Sequence, residues 1–206
     1  KEAGIPLMVH KSRSFADLVA ILREVQGGGY FGFLADSVGH PWEDLMLAAK
    51  IKAGVTRLSY YMFGPIKERW NEEYALPWLN AKLHCIICGR LRTLIEEEVD
   101  EKGVKTLTTV GTAMKTEKEL GYEPSLLVEM DRELHENDHR DTYITQRAII
   151  IKDRFNAING QSFIFDGRGK KLNALVKDTL HVFLPHIQKL NLGGKGATVS
   201  PESTTA

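Results

Sequence analysis

An acidic residue closes an apolar, strand-like run in the first fifth of the chain. Residues 31–37 read Phe-Gly-Phe-Leu-Ala-Asp-Ser, so the run ends on the carboxylate of Asp36, with the hydroxyl of Ser37 beside it. A carboxylate placed there can orient a water molecule on a Mg²⁺ ion bound between the β and γ phosphates of a nucleotide. Many strands also end in Asp because its side chain caps the next helix. The pattern admits both a nucleotide site and a helix cap.

A second run has the spacing of zinc ligands. Residues 135–139 read His-Glu-Asn-Asp-His, which fits the H-E-x-x-H pattern of zinc hydrolases. That chemistry requires a helix, because one helical turn must bring both His side chains to the same metal. Here the residues lie between two strand-like runs and among Asn, Asp and Arg, which favours a polar connecting loop. The context argues against a zinc hydrolase.

Cys85 and Cys88 have the C-x-x-C spacing of metal and redox sites. They lie in an apolar run that is typical of a strand, where residues three apart point to opposite faces. The chain has no further cysteine to complete a set of four zinc ligands. Both thiols are therefore predicted to lie in the core.

The elements that must position Asp36 alternate between strand and helix. Such alternation predicts an α/β fold with a parallel sheet, whose ligands lie beyond the carboxyl ends of the strands. The predicted elements are a strand at 6–10, a helix capped by Ser14, a strand at 30–35, a helix at 42–53, a helix at 66–76 that Pro77 breaks or kinks, and a strand around Cys85.

Hairpin patterns replace this alternation in the second half of the chain. Residues 93–99 and 104–110 alternate around Asp-Glu-Lys-Gly, and residues 125–133 and 142–151 indicate a second strand pair. A helix is predicted at 171–183. We expect one domain over residues 1–190 and a disordered tail over residues 191–206.

Five segments together resemble one known family. Residues 35–43, Ala-Asp-Ser-Val-Gly-His-Pro-Trp-Glu, resemble the Asp-Ser-x-x-His-x-Trp-Glu segment of phage-encoded RecA-like P-loop ATPases linked to recombination and single-strand annealing. Residues 83–90, 110–115, 121–126 and 151–155 resemble other segments of that family, in the same order. The resemblance implies an α/β fold with a RecA-like core, in which a mostly parallel sheet is flanked by helices and followed by an antiparallel strand extension.

The resemblance also implies roles for the residues around Asp36. Asp36 would hold Mg²⁺ through a water molecule, and Ser37 would lie beside the nucleotide. His40 and Glu43 would help to position the attacking water. The implied cofactors are ATP and Mg²⁺.

Four cations complete the site that the resemblance implies. Arg90 would sense the γ phosphate, while Lys115, Lys152 and Arg154 would reach the phosphates of a neighbouring subunit and stabilise the charge of the transition state. Each cation also has a structural interpretation. Arg90 can be a surface charge at a strand end, Lys115 an exposed lysine at a helix start, and Arg154 half of a local pair with Asp153.

The phosphate-binding loop of this family is missing from the sequence. That loop reads G-x-x-x-x-G-K-[ST], since several backbone N–H groups must surround the phosphates. No such run occurs in the 206 residues, and residues 193–196, Gly-Gly-Lys-Gly, have neither its spacing nor a preceding strand. We expect either that an amino-terminal segment is absent or that this chain does not bind ATP in the ordinary way.

Two functions therefore remain open. The first is an ATP-binding, RecA-type ATPase of phage DNA recombination that acts as a homo-oligomer on single-stranded DNA. The second is a non-catalytic assembly or DNA-binding module with a degenerate nucleotide site. Lys plus Arg and Asp plus Glu both total 27, so no overall basic field attracts nucleic acid. No run of about 18 apolar residues occurs, which predicts a cytoplasmic protein, in the host cell if phage-encoded.

The aromatic residues admit two interpretations. Trp42, Trp70, Trp78, Tyr60 and Tyr61 can stack on DNA bases or bury their rings in a core or subunit interface. Their helical spacing favours burial.

Overall fold

The computed structural model describes residues 7–99, 103, 105–136, 142–168 and 172–190. The chain divides into two compact units, Lys1–Glu123 and Pro124–Ala206. The strand predicted at 6–10 is wrong for residues 7–10, which have no regular secondary structure, and Pro6 lies outside the described residues. The tail predicted at 191–206 also lies outside them.

The described part of the first unit contains four α-helices and four strands. A 3-10 turn at Tyr60–Met62 precedes the third helix, and a π-helical turn at Asn71–Ala75 joins the third helix to the fourth. The elements are α1 (Phe15–Gly27), β1 (Gly32–Asp36), α2 (Gly39–Ala53), α3 (Phe63–Trp70), α4 (Leu76–Leu79), β2 (His84–Cys88), β3 (Leu91–Val99) and β4 (Lys105–Met114).

Local signals account for most of these boundaries. Ser14 begins α1 as predicted, since its Oγ accepts a hydrogen bond from the Asp17 N–H at 3.3 Å. Gly54 ends α2 in the left-handed conformation, with φ 64°. Pro77 does not break the helical segment at the predicted point. It lies two residues after the end of the π-helical turn, in which the Leu76 N–H bonds to the Asn71 carbonyl, and the helical segment continues to Leu79.

The core of this unit is aromatic. The Trp70 ring is fully buried and lies 5.6 Å from Phe15, 5.3 Å from Trp42 and 4.8 Å from Tyr74, measured between ring centroids. Burial is confirmed for the three tryptophans, because Trp78 is also buried.

The two neighbouring tyrosines do not enter the core of the chain, and their burial in a subunit interface stays a prediction. Tyr60 is 94% exposed and Tyr61 is 79% exposed. Both lie in the short 3-10 turn before α3, which has no buried residue.

Strands β1 and β2 form a parallel pair that is covered on one face. Phe33 and Ala35 of β1 are buried in the helical core. On the opposite face Leu34 and Ile86 are register partners, and they are 62% and 58% exposed. Parallel sheets are usually covered on both faces, so this apolar surface is unusual.

The predicted RecA-like core with a mostly parallel sheet is wrong for the described residues. Parallel pairing among them is limited to β1 and β2, and β3 pairs with β4 in an antiparallel ribbon. The physical reason lies in the connections. A parallel sheet grows only through crossovers, and after β2 the chain turns directly into a hairpin. The hairpin itself is confirmed.

The described part of the second unit is an antiparallel sheet with one helix. Its elements are β5 (Leu126–Glu136), β6 (Thr142–Asp153), β7 (Ser162–Phe165) and α5 (Leu172–Ile187), with β6 in the centre of the sheet. The predicted strand pair and terminal helix are confirmed. Ala148 and Ile150 of β6 are buried.

The H-E-x-x-H run does not begin in a loop. His135 and Glu136 lie in β5, and His135 Nε2 lies 2.8 Å from Thr145 Oγ1 on β6. Residues 137–141 lie outside the described residues. The described part of the run is a strand rather than the helix that a zinc hydrolase needs.

Candidate functional site

The candidate site lies at the carboxyl ends of β1 and β2. Asp36 and Cys88 are register partners at the last position of each strand, and the Val38 N–H donates to the Cys88 carbonyl at 3.0 Å. Asp36 is exposed, and the peptide bond between Asp36 and Ser37 is cis. Helix α2 starts at Gly39. The end of β1 and the first turn of α2 therefore share one edge.

A line of polar side chains crosses this edge. Arg90 Nη2 lies 3.2 Å from His40 Nε2, and His40 Nδ1 lies 3.7 Å from Glu43 Oε2. His40 and Glu43 lie one helical turn apart on α2. Arg90 lies two residues after the end of β2, so the contact joins the end of the sheet to the start of the helix.

The line ends on a second cation. Lys115 Nζ lies 3.1 Å from Glu43 Oε1, and the Lys115 N–H donates to the Arg90 carbonyl at 2.6 Å. Arg90 and Lys115 flank the β3–β4 ribbon on its two strands. The ribbon therefore brings both cations to the carboxylate of Glu43.

Close backbone packing fixes the relative position of these elements. A Cβ atom on Gly39 would lie 2.9 Å from the Lys115 carbonyl oxygen. Contacts this short do not occur for a real side chain. Glycine at position 39 thus allows α2 to begin directly against the base of the ribbon.

The two cations control the electrostatics of the edge. The hydrogen bond and charge of Lys115, with smaller effects from His40 and Arg90, hold the pKa of Glu43 below its ordinary value. Burial, followed by the charge of Asp36, raises the pKa of the Cys88 thiol. Glu43 therefore stays ionised and Cys88 stays protonated near neutral pH.

The cysteines differ in their surroundings, although both are free. Cys85 packs against the core, and burial raises the pKa of its thiol to about 11. Cys88 lies on the opposite face, beside Asp36, as the alternation of the strand requires. The core prediction is confirmed for Cys85 and wrong for Cys88. Sequence reasoning missed Cys88 as a neighbour of Asp36, although strand alternation was the available signal.

The donor set fits Mg²⁺ only in combination with a phosphate ligand. Mg²⁺ in nucleotide sites takes one or two carboxylates and fills its octahedron with water and phosphate oxygens. Asp36 offers an exposed carboxylate and Ser37 a neighbouring hydroxyl. Within the described ranges, no group of three or more His, Cys, Asp or Glu side chains can hold a metal ion by itself.

Two predicted site residues lie in the other unit. Lys152 and Arg154 belong to the end of β6 and the turn after it, and the buried Asp153 lies between them. Asp153 pairs with His186 rather than serving only as a local partner of Arg154. The alternative for Lys115, a lysine at a helix start, is wrong because Lys115 follows the strand β4.

No family model, curated protein or solved structure matches the chain. In the part of the chain that the structure describes, no helix has the length and apolar character needed to cross a membrane.

Proposed function

We propose that this chain supplies the magnesium edge of a nucleotide site in an ATP-binding, RecA-type ATPase of phage DNA recombination or single-strand annealing. One observation carries the proposal. Arg90, His40, Glu43 and Lys115 form a connected polar line at the edge of the unit where β1 ends on the exposed residue Asp36.

The geometry supports a division of roles. Asp36 and Ser37 would supply the carboxylate and the hydroxyl that reach metal-bound water. Arg90 lies beyond the end of β2, where its guanidinium can meet a phosphate, since arginine binds phosphate in a bidentate manner. His40 and Glu43 form the polar surface on which a water molecule is positioned.

A bound phosphate would compete for Lys115 and so disturb the ion pair between Lys115 and Glu43. Lys115 is 57% exposed and is held by the carboxylate of Glu43, so a phosphate competes with Glu43 for the ammonium group. In this proposal Lys115 serves the site of its own chain rather than a neighbouring one. Lys152 and Arg154 keep the proposed role toward a neighbouring subunit.

Calorimetry with Mg-ATP tests the proposal on the purified chain, its Asp36→Asn variant and a Glu68→Gln control. Glu68 is an exposed carboxylate on α3, so the control removes one charge without touching the site. We expect micromolar binding, a free energy of about −8 kcal/mol, that is lost in Asp36→Asn and kept in Glu68→Gln. Equal binding by both variants, or no binding by any chain, contradicts the proposed site.

The proposed partners are further copies of this chain and single-stranded DNA, in the host cytoplasm. Fluorescence anisotropy of a labelled oligonucleotide, with and without Mg-ATP, measures DNA binding directly. We expect binding that weakens as salt rises, because phosphate contacts release counterions. Binding independent of ATP favours the second candidate function.

That second candidate is a non-catalytic module that assembles with its own copies, and the uncovered face of β1 and β2 favours it. Leu34 and Ile86 are adjacent and exposed there, and Phe31 is 81% exposed. A Leu34→Lys variant tests it by sedimentation. Assembly that is lost in Leu34→Lys but kept in Tyr60→Lys assigns the face to self-association, and an unchanged mass in Leu34→Lys contradicts it.

A further inference from the structure

Three side chains of the unit Pro124–Ala206 form a hydrogen-bonded line. His186 Nδ1 lies 2.7 Å from Asp153 Oδ1, and His186 Nε2 lies 3.1 Å from Ser125 Oγ. Ser125 precedes β5, Asp153 ends β6 and His186 lies in the last turn of α5. The three elements therefore place an acid, a base and a hydroxyl in series.

The carboxylate at one end is firmly held. Asp153 Oδ1 accepts a hydrogen bond from the Phe155 N–H at 2.8 Å, and Oδ2 accepts from the Ala157 and Ile158 N–H groups at 2.7 and 2.8 Å. Its side chain is completely buried. A carboxylate in such a cradle has one orientation, which it imposes on the imidazole.

The charge and hydrogen bonds of Asp153 determine which atom of each pair in the line donates and which accepts. Burial acts to raise the pKa of Asp153, but the hydrogen bonds from Ile158, His186, Phe155 and Ala157 outweigh it and lower the pKa to about 2. An ionised carboxylate only accepts hydrogen bonds, so His186 Nδ1 donates to Asp153. In the neutral imidazole Nε2 is then the acceptor for the Ser125 hydroxyl.

The opposite end of the line is less buried. His186 is 2% exposed and Asp153 is 6% exposed, whereas Ser125 is half-buried. The Phe155 ring covers the imidazole, with its centroid 5.0 Å away. The imidazole is shielded, whereas Ser125 is only partly buried.

We propose that Ser125 is a nucleophile activated by His186 and Asp153, and that this site cleaves small acyl esters. The order hydroxyl, imidazole and buried carboxylate, with one hydrogen bond between each pair, is the arrangement that general-base activation of serine requires. None of these three residues belongs to the proposed nucleotide site.

The reaction balances without a further reagent except water. Ser125 Oγ attacks the carbonyl carbon of the ester while its proton passes to His186 Nε2. The bond from this carbon to the alcohol oxygen then breaks, and the leaving alcohol takes the proton from Nε2. Water attacks the acyl-serine in the same manner and releases the carboxylic acid. Asp153 stabilises the imidazolium during both steps.

A purely structural role is the alternative, because the same contacts join α5 to the end of β6. Both roles need the bond between Asp153 and His186, but only the nucleophile makes Ser125 more reactive than other serines. Ser162 provides the comparison within the same chain, since it is exposed on β7. The decisive quantity is therefore the reactivity ratio of Ser125 to Ser162.

A fluorophosphonate probe measures this ratio on the full chain. Formation of the bond between Oγ and phosphorus expels fluoride, and peptide mass spectrometry identifies the modified serine. We expect Ser125 to react at least roughly 10²-fold faster than Ser162, the scale of general-base assistance. Equal rates at the two serines, or no reaction at Ser125, overturn the proposal.

Turnover of p-nitrophenyl acetate gives a second measurement. We expect release of nitrophenolate by the wild-type chain and its loss, by roughly 10²-fold or more, in Ser125→Ala but not in Ser162→Ala. The far-UV circular dichroism of each variant shows whether the sheet is intact, since Ser125→Ala leaves the pair of Asp153 and His186 in place. Turnover by Ser125→Ala at the wild-type rate overturns the proposal.

Discussion

Lys115 Nζ lies 3.1 Å from Glu43 Oε1, and this ion pair joins the end of the β3–β4 ribbon to helix α2. Both partners are about half exposed, at 57% and 49%. An exposed pair of this kind contributes less than about 1 kcal/mol to stability. Its main effect is therefore on the charge of the candidate site.

Replacing the lysine tests that effect. In Lys115→Met the pKa of Glu43 is expected to rise toward its ordinary value of 4.5, because the hydrogen bond and charge that lower it are removed. Carboxyl ¹³C NMR across an acid titration measures the change. The small stability that Glu43 contributes is present above pH 4.5 and is lost as the pH falls through its folded pKa. A Lys118→Met control leaves the titration of Glu43 unchanged, and an unchanged titration in Lys115→Met contradicts the pairing.

Glycine 39 is expected to be required by the packing at the start of α2. In Gly39→Ala the new Cβ atom meets the Lys115 carbonyl at 2.9 Å, so backbone must move. We expect a loss of about 1–3 kcal/mol in the free energy of unfolding, the usual cost of overpacking. Urea denaturation followed by tryptophan fluorescence measures it.

The matched control is Gly64→Ala. Gly64 lies in α3, and a Cβ atom at this position would meet no described neighbour within 4 Å. Alanine is the better helix former, but the following Pro65 restricts a residue that carries a Cβ atom, so this variant is expected to change the free energy of unfolding by less than about 1 kcal/mol. Equal effects of the two substitutions would argue against a close contact at Gly39.

The aromatic core is expected to depend on Trp70. This side chain is fully buried against Phe15, Trp42 and Tyr74, so Trp70→Ala leaves a large cavity. The expected cost is about 3–5 kcal/mol by thermal or urea denaturation. Tyr60→Ala, at a residue 94% exposed, should change stability by less than about 0.5 kcal/mol. A similar cost for both would show that Trp70 is not central to the core.

Acid is expected to lower the stability of the second unit, Pro124–Ala206, because Asp153 becomes protonated. Its pKa is lowered from an ordinary value of 3.8 to about 2 in the folded chain. A lowered pKa gives stability that is fully present above the unfolded pKa and is lost as the pH falls from about 4 to about 2. The shift corresponds to a contribution on the order of 2 kcal/mol.

Amide hydrogen exchange can follow this loss locally. The Ala157 and Ile158 N–H groups donate to Asp153, so their protection is expected to fall across that pH range in the wild-type chain. Asp153→Asn should be less protected at about pH 5 and should show little further change down to about pH 2. If amide protection fell with pH in the same way in the wild-type chain and in Asp153→Asn, a group other than Asp153 would be responsible for the loss.

Short-range features of this protein follow from its sequence. Ser14 marks the start of α1, and the apolar run before Asp36 marks the end of β1. His40 and Glu43 share a helical face because residues three apart on a helix are neighbours. The β3–β4 hairpin is also local, since its strands are adjacent in the sequence.

Strand pairing was not predictable in the same way. The alternation of strands and helices predicted an α/β fold with a parallel sheet, yet among the described strands only β1 and β2 pair in parallel. Whether a strand joins a given neighbour depends on crossovers and on packing across the whole unit, which no local window of sequence contains.

The sequence by itself determined where most of the helices and strands lie, that the three tryptophans enter the core and which carboxylate ends β1. Only the tertiary structure decided that Arg90 and Lys115, at the ends of the two strands of the β3–β4 ribbon, are neighbours. It also decided that Ser125, Asp153 and His186 form one hydrogen-bonded line. The physical reason is distance along the chain. The hydrogen bond between Ser125 and His186, 61 residues apart, exists only after strand register and helix packing have placed both side chains.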